Sequence, residues 1–506
     1  MLRCIFLLAM WIYTARSVPC VHRDFGNNGK VCVCNATYCD STPVSDIPDI
    51  GFYIRYTSSE NGLRLHETRG VFRTECSPAD SDSFQLDFDN TFQPIHGFGG
   101  TFTDAASFNI KTLSPGAQEN LMRTYFSKEG SNYNLGRVPI GGTDFSERPY
   151  TYDDHEGDVL LKKFSLANED LLYKIPLMKK ALKINPDVKL FAAAWTAPTW
   201  MRTNHNNTGY GFLRRKYYRV YAKYLVEFLN KYEDHGLKMW ALSTGNEPYT
   251  GTQNLSDYGS MGWLPKNVGK WIANNLGPTI SKSKHNRTLI LAYDDSGSHL
   301  DPFINDMFEN KLARNYTAGI AIHSYKDATF STSLLGEIRQ KYPEKFLIMT
   351  EFSAGNPQKD IGIVASGSWK LAEKYILNII ENLKNWVTGW VDWNLALDKY
   401  GGPNWRQNFV DAPIIVNSEA DEFYKQPMYY AIAHFSKFIS LGSVRVGFNH
   451  GKKSIEAVAF KTPKNETVLV MYNNATRDEN VAIHDPRRGQ IHLQLPPKSV
   501  HTILYK

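Results

Sequence analysis

Between Ile95 and Asn394 the chain repeats one pattern eight times: a short apolar run fit for a buried strand, then an amphipathic helix. The strand candidates cover 97–103, 133–140, 188–195, 238–244, 288–294, 319–325, 346–351 and 388–394. Between them, residues 115–126 follow Ser114, a good helix cap. Residues 217–232 place Tyr217, Val220, Tyr221, Tyr224, Leu225 and Phe228 on one helical face, and 369–386 behave likewise. Eight strands alternating with helices predict a closed (β/α)8 barrel rather than an open doubly wound sheet. No G-x-G-x-x-G opens a helix, which argues against a dinucleotide domain. Gly97-Phe98-Gly99-Gly100 lacks a P-loop lysine and suits a tight backbone at the mouth of the first strand.

Outside the repeat the periodicity is that of strands. Residues 49–92 alternate, as in 51–56 and 84–88, and alternation returns in 457–461, 467–472, 491–495 and 501–505. The expected fold class is therefore α/β: a (β/α)8 TIM barrel, an all-β sandwich built from both chain ends, and a small cysteine-rich N-terminal β lobe. In numbers, the lobe takes 19–48 with 395–426, the sandwich 49–92 with 444–506, and the barrel 93–394 with a further helix in 427–443.

Residues 1–18 read as a secretory signal: Arg3, a short apolar core from Cys4 to Trp11, then small residues up to Val18. No later run approaches the roughly 20 apolar residues of a spanning helix. The mature protein is thus expected in the lumen of the secretory pathway or outside the cell. Cysteine use agrees, because Cys20, Cys32, Cys34 and Cys39 crowd one short stretch and suggest two disulfides among three pairings. Cys76 is left as a free thiol. Sequons at Asn35, Asn206, Asn254, Asn286, Asn315, Asn465 and Asn474 mark candidate glycosylation sites. The formal charge of +6 is mild for 506 residues and includes no basic block of the kind that binds nucleic acid. It does suit an anionic lipid surface.

The chemistry sits at strand ends. Ser243-Thr244-Gly245-Asn246-Glu247-Pro248 closes the fourth strand candidate, and Glu351 ends the seventh. The C-terminal strand ends of such a barrel carry its active site. Two glutamates there are what glycosidic cleavage requires: Glu247 to protonate the leaving oxygen, Glu351 to attack the anomeric carbon. The attacking carboxylate must be ionised, and the acid is expected to be held protonated by its neighbour's charge and a dry pocket. Asn246 can bond the sugar 2-hydroxyl, and Asp144 can bind two further hydroxyls. Arg137, inside a strand, needs a carboxylate partner such as Glu351 or Glu247. Trp195 and Trp393 are candidate pocket walls as well as candidate core. Tyr325 is placed to orient the nucleophile, with His323 beside it as a satisfied core histidine. Neither H-E-x-x-H nor G-x-S-x-G occurs, so no metal hydrolase or lipase motif is present, and no cofactor is called for.

With these residues laid out, the chain resembles the lysosomal glucosylceramidases (acid β-glucosidases) of glycoside hydrolase family 30. The likeness spans the whole mature chain. It shows in the runs 31–40, 97–100, 195–200, 390–397, 401–405 and 423–428. The resemblance implies a retaining enzyme of the lysosomal lumen, associated with membranes, that releases glucose from glucosylceramide. It assigns Glu247 as acid/base and Glu351 as nucleophile. Asp144, Trp195, Asn246 and Trp393 match glucose contacts, Arg137 and Tyr325 active-site support, and Phe145, Asn408 and Phe409 the pocket rim. The implied disulfides are Cys20–Cys32 and Cys34–Cys39, and the implied partner is a saposin-type activator on anionic membranes. Ser353, Ser324 and Gly245 depart from the mammalian pattern at the entrance and at strand ends. Two alternatives stand beside this reading: a catalytically silent glycolipid-binding protein, and a related β-xylosidase or β-galactosidase.

Overall fold

A computed structural model describes residues 17–26, 29–73, 83–253, 259–325, 331–355, 364, 366–449 and 453–506. Most of the expected signal segment, with Cys4, and also Cys76, Asn254, Asn356 and Pro357, lie outside the described residues.

The eight strand–helix repeats close into a parallel barrel. Its strands, numbered here 1 to 8 in chain order, are Gly97–Thr101, Leu135–Ile140, Lys189–Ala194, Met239–Ser243, Leu289–Ser296, Thr317–His323, Phe346–Glu351 and Val387–Asn394. Strand 8 pairs back onto strand 1, with Val391 opposite Gly99. One interior layer takes Leu135, Phe191, Ala241, Leu291, Ala321, Ile348 and Val391, one residue from each of strands 2 to 8. Strand 1 approaches strand 2 so closely that a Cβ at Gly99 would lie 1.9 Å from the Leu135 carbonyl oxygen, which only glycine avoids. Helix Pro115–Phe126 starts where expected, its first turn capped by the Ser114 hydroxyl. Several strand ends differ from expectation by one or two residues, and two of them matter for the mouth. Strand 3 stops at Ala194 and strand 6 at His323, so Trp195 and Tyr325 stand just past the strands, in the loops of the mouth.

The second body is one nine-stranded hydrogen-bonded sheet folded over itself. Its order runs from Gly489–Leu495 at one edge, through Glu479–Asp485, Phe84–Pro94, Val444–Asn449, Ile455–Lys461, Thr467–Asn473, Ser499–Tyr505 and Phe52–Ser59, to His66–Val71 at the other. A bridge between Arg73 and Gln490 brings the two edges together. Its core is read off with period two: Ile455, Ala457 and Ala459; Leu469 and Met471; Val481 and Ile483; Ile491, Leu493 and Leu495. Both chain ends thus build this body, and the strand at 479–485 was not named from sequence.

A third, five-stranded sheet joins His22–Asp24 and Lys30–Cys34 to Glu422–Lys425, Ile414–Asn417 and Leu397–Asp398. Disulfides Cys20–Cys32 and Cys34–Cys39 staple its N-terminal half. The Lys425 ammonium, buried, meets the Asp40 carboxylate at 2.8 Å. No described helix is long and apolar enough to cross a membrane.

Candidate active site

The loops after the barrel strands surround a cavity lined by Asp144, Trp195, Asn246, Glu247, Thr250, Gly259, Ser260, Tyr325, Glu351, Ser353, Gly355, Trp393, Asn408 and Val410, with a volume of about 240 Å³. That is room for one sugar ring. Two indoles form one wall: Trp195 and Trp393 stack with centroids 5.2 Å apart at an interplanar angle of 16°.

Beneath the cavity lies a buried ionic network. Arg137, fully buried in strand 2, makes an ion pair with Glu351 and donates to Asn246 Oδ1 at 2.7 Å and Asp294 Oδ2 at 3.1 Å. Its guanidinium packs against both tryptophans, 4.9 Å from the Trp195 centroid and 5.6 Å from the Trp393 centroid. Tyr325 donates its hydroxyl to Glu351 Oε1 at 2.7 Å. Glu351 therefore has a cation on one oxygen and a phenol on the other. Thr350, its chain neighbour, donates to Asp294 Oδ1 at 2.6 Å.

Glu247 faces the same space from strand 4. A carboxylate oxygen of Glu247 and one of Glu351 lie within 4.8 Å of each other. The Glu247 backbone is left-handed, φ +43°, which is uncommon for a residue with a side chain. Its N–H is bonded to the Asp294 carbonyl at 2.9 Å, and its Oε1 lies 3.1 Å from His323 Nδ1. Two residues upstream Gly245 has φ +140°, a backbone that favours glycine.

His323 is the hinge of the electrostatics. Its second nitrogen lies 3.2 Å from Asp294 Oδ1. Burial pushes its pKa down, but Glu351, Asp294 and Glu247 together raise it to about 10. With both nitrogens facing carboxylates the ring is an imidazolium, not the plain core histidine expected. Glu247, His323 and Glu351 offer ligand atoms close enough for a metal ion. Both ring nitrogens face carboxylate oxygens, Nδ1 that of Glu247 and Nε2 that of Asp294, an arrangement that ion pairing accounts for.

The acid also departs from expectation. Burial pushes Glu247 up, but the His323 hydrogen bond and charge, the Thr250 hydroxyl and Arg137 hold it below the usual glutamate range. Two other carboxyls go the opposite way. Burial, helped by Glu351 and Glu247, takes Asp144 to about 7 against its bond from Asn408 Nδ2 at 3.0 Å. Burial and Glu247 likewise take Asp295 to about 7. Asp294, although buried, is held well below the carboxylate range by Arg137 and His323.

Most residues singled out from sequence converge here: Asp144, Trp195, Asn246, Glu247, Tyr325, Glu351, Trp393 and Asn408 line the cavity, with Arg137 under it. Two do not fit the rim. Phe145 is fully buried and packs edge-on against Trp393, centroids 5.9 Å apart, because Thr143 and Ser146 fold its loop inward. Phe409 is half-buried and leaves the lining to Asn408 and Val410. Ser353, singled out at the entrance, lines the cavity, whereas Asp294, Asp295, Thr250 and Val410 were missed from sequence. The signal for the two aspartates was present, as paired acids at the end of a strand candidate. Of the sequons, Asn206, Asn286, Asn315, Asn465 and Asn474 are exposed and Asn35 is half-buried.

Comparison with known proteins agrees with this architecture. The glycosyl hydrolase family 30 TIM-barrel domain model matches residues 95–439, and the family 30 β-sandwich domain model matches 442–503. Putative glucosylceramidase 2 of Caenorhabditis elegans is 39% identical over 99% of this chain and 97% of its own. Lysosomal acid glucosylceramidase of Mus musculus is 38% identical over 99% and 98%. Among solved structures, SrfJ from Salmonella typhimurium superposes with a TM-score of 0.83 at 28% identity, covering 90% of this chain and 99% of that one.

Proposed function

The chain belongs to glycosyl hydrolase family 30, and from that membership we propose that it hydrolyses the β-glucosidic bond of glucosylceramide by double displacement. The observation that carries the reading is the pair of glutamate oxygens within 4.8 Å across the barrel mouth. Carboxyl groups about 5 Å apart suit a retaining glycosidase, whereas an inverting one needs a gap of roughly 6.5–9.5 Å for water.

In this reading Glu351 is the nucleophile. Arg137 and Tyr325 hold both its oxygens and so aim the carboxylate at the anomeric carbon. Glu247 protonates the leaving oxygen, then activates the water that releases the sugar. Its lowered pKa makes the proton-bearing form a low-pH species in the empty site. A glucosyl unit over the carboxyl displaces water, which favours the neutral acid. Trp195 and Trp393 support the sugar face, Asn246 meets the 2-hydroxyl, and Asp144 with Asn408 grips the far hydroxyls. The ceramide leaves past Ser353, Gly355 and Val410. The reading extends to the lysosomal lumen, to substrate held in an anionic membrane, and to a saposin-type activator presenting it.

The test is the anomer formed first. Proton NMR of early hydrolysis of an aryl β-glucoside at acid pH is expected to show β-glucose before mutarotation. First-formed α-glucose would exclude double displacement, and absence of turnover with any lipid or detergent would favour the silent binder.

A further inference from the structure

We propose that Thr250 is a positioning residue for proton transfer, the partner of the single Glu247 oxygen that carries the mobile proton. The inference rests on the acid/base role just assigned to Glu247. The two oxygens of that carboxyl have unlike neighbours. Oε1 faces His323 Nδ1 at 3.1 Å, and the other ring nitrogen faces Asp294 at 3.2 Å. Both nitrogens donate, so the ring cannot accept a proton from Oε1. Oε2 instead lies 3.2 Å from the Thr250 hydroxyl. A hydroxyl donates to a carboxylate and, by rotating, accepts from a carboxylic acid. Thr250 thus satisfies Oε2 in both protonation states with no movement of heavy atoms, whereas His323 serves only the ionised one.

The hydroxyl is held, not swung in by chance. Thr250 N–H donates to the Glu247 carbonyl at 3.0 Å, closing the turn that carries both side chains. Tyr249 N–H donates to Asp295 Oδ2 at 2.9 Å, and the Tyr249 ring stacks on His299 with centroids 3.7 Å apart. Thr250 and Glu247 line the same cavity, the space a leaving-group oxygen would occupy. The proton is conserved throughout. It passes from Oε2 to the glycosidic oxygen as that oxygen leaves the anomeric carbon and a Glu351 oxygen bonds there, and the Thr250 O–H turns to donate to the new Glu247 carboxylate. In the second half Oε2 takes a proton from water as the water oxygen bonds to the anomeric carbon and the bond from that carbon to Glu351 breaks, freeing its carboxylate, and Thr250 returns to accepting.

Thr250→Val and Thr250→Ala both delete the hydroxyl, while Thr250→Ser keeps it. The other titratable and charged groups facing Glu247 (His323, Arg137, Glu351, Asp294, Asp295, and across the cavity Asp144 and Tyr325) stay in place. Profiles of kcat/KM against pH with a good and a poor aryl leaving group decide the matter. Loss of a donor to the charged form raises the Glu247 pKa, so the alkaline limb is expected to move up by about half a pH unit or more in both deletions. The poor leaving group is expected to lose about tenfold more rate than the good one, and Ser to restore both features. An unmoved limb with equal loss on both substrates, or no restoration by Ser, would overturn the proposal. If the unaltered chain turns over neither substrate, the acid/base reading itself falls and this falls with it.

Discussion

The two glutamates face one cavity from opposite sides of the barrel, Glu247 after strand 4 and Glu351 at the end of strand 7, and their surroundings differ. Glu351 sits against the Arg137 guanidinium with the Tyr325 hydroxyl on its free oxygen. Glu247 is the more open of the two, its side chain 27% exposed against 7% for Glu351. Glu351→Gln is therefore expected to abolish turnover and labelling by a cyclitol epoxide, read by mass spectrometry of the active-site peptide. Glu247→Gln is expected to lower kcat/KM for poor leaving groups by roughly 10²–10⁴-fold while sparing kcat/KM for activated aryl glucosides, whose departure needs no protonation. Equal losses across leaving groups would remove Glu247 from the acid role. Both glutamates were legible because a strand-terminal acid beside Asn246 or after Phe346–Thr350 stands out against an apolar run. Asp294 and Asp295 stand as paired acids at a strand end, but their separate destinations were not legible. Tyr293 and Asp294 have φ of +76° and +60°, and a register shift against strand 6 marks a bulge there. The bulge sends one carboxyl to Arg137 and His323 and the next to the turn after Glu247. Side-chain alternation in the sequence predicts opposite faces but not this bend.

At the scale of elements, the pocket depends on how the long loop after strand 2 is anchored, since that loop carries Asp144. The anchor is Lys174, fully buried at the end of the π-helical turn Glu169–Lys174. It spans Asp104 at 3.1 Å and Asp170 at 2.9 Å. Asp104 belongs to helix Asp104–Thr112 and also accepts from Ser146 at 2.6 Å and Tyr150 at 2.9 Å. Asp170 accepts from Tyr152 at 2.8 Å and from Tyr232 of helix Tyr218–Asp234 at 2.6 Å. One ammonium thus ties two helices and the loop together. Lys174→Met strands two buried carboxylates and is expected to cost about 3–5 kcal/mol, measured by denaturant unfolding. KM is expected to rise as Asp144 loosens, and an unchanged unfolding free energy would show the network to be slack. The elements themselves were largely readable. Apolar runs and helical stripes located all eight barrel strands, because burial on both faces leaves little polar interruption. Strand Glu479–Asp485 escaped because it offers only Val481 and Ile483 as alternating large apolar residues, too few to separate from a loop. The π turn escaped too, since its extra residue shifts Lys174 inward out of the ordinary helical spacing.

The barrel and the nine-stranded body are joined through helix Pro427–Ser436, which is buried along its whole length. Its polar link to the sandwich strands is His434. Nδ1 lies 2.8 Å from Thr502 Oγ1 and Nε2 2.9 Å from Ser58 Oγ, while the Thr502 hydroxyl also donates to the His434 carbonyl at 2.9 Å. No carboxylate meets the ring among these partners, and burial takes its pKa down to about 3. The junction therefore requires a neutral imidazole. A folded pKa below the unfolded value of 6.5 means that the unfolded chain binds the extra proton. The contribution of His434 to stability is complete above pH 6.5 and is lost as pH falls from there toward 3, by about 2 kcal/mol at pH 5. His501, also buried and held neutral, lies close by and adds the same sign. In His434→Gln the amide cannot titrate. The variant is expected to be less stable than the unaltered chain at pH 7 by about 1 kcal/mol for the lost hydrogen bond. That gap is expected to close or reverse by pH 5, because only the unaltered chain carries the protonation penalty. Unfolding free energies of both proteins at pH 7, 6 and 5 measure this directly, and a gap that stays constant across the three would mean that the junction does not sense protons at His434.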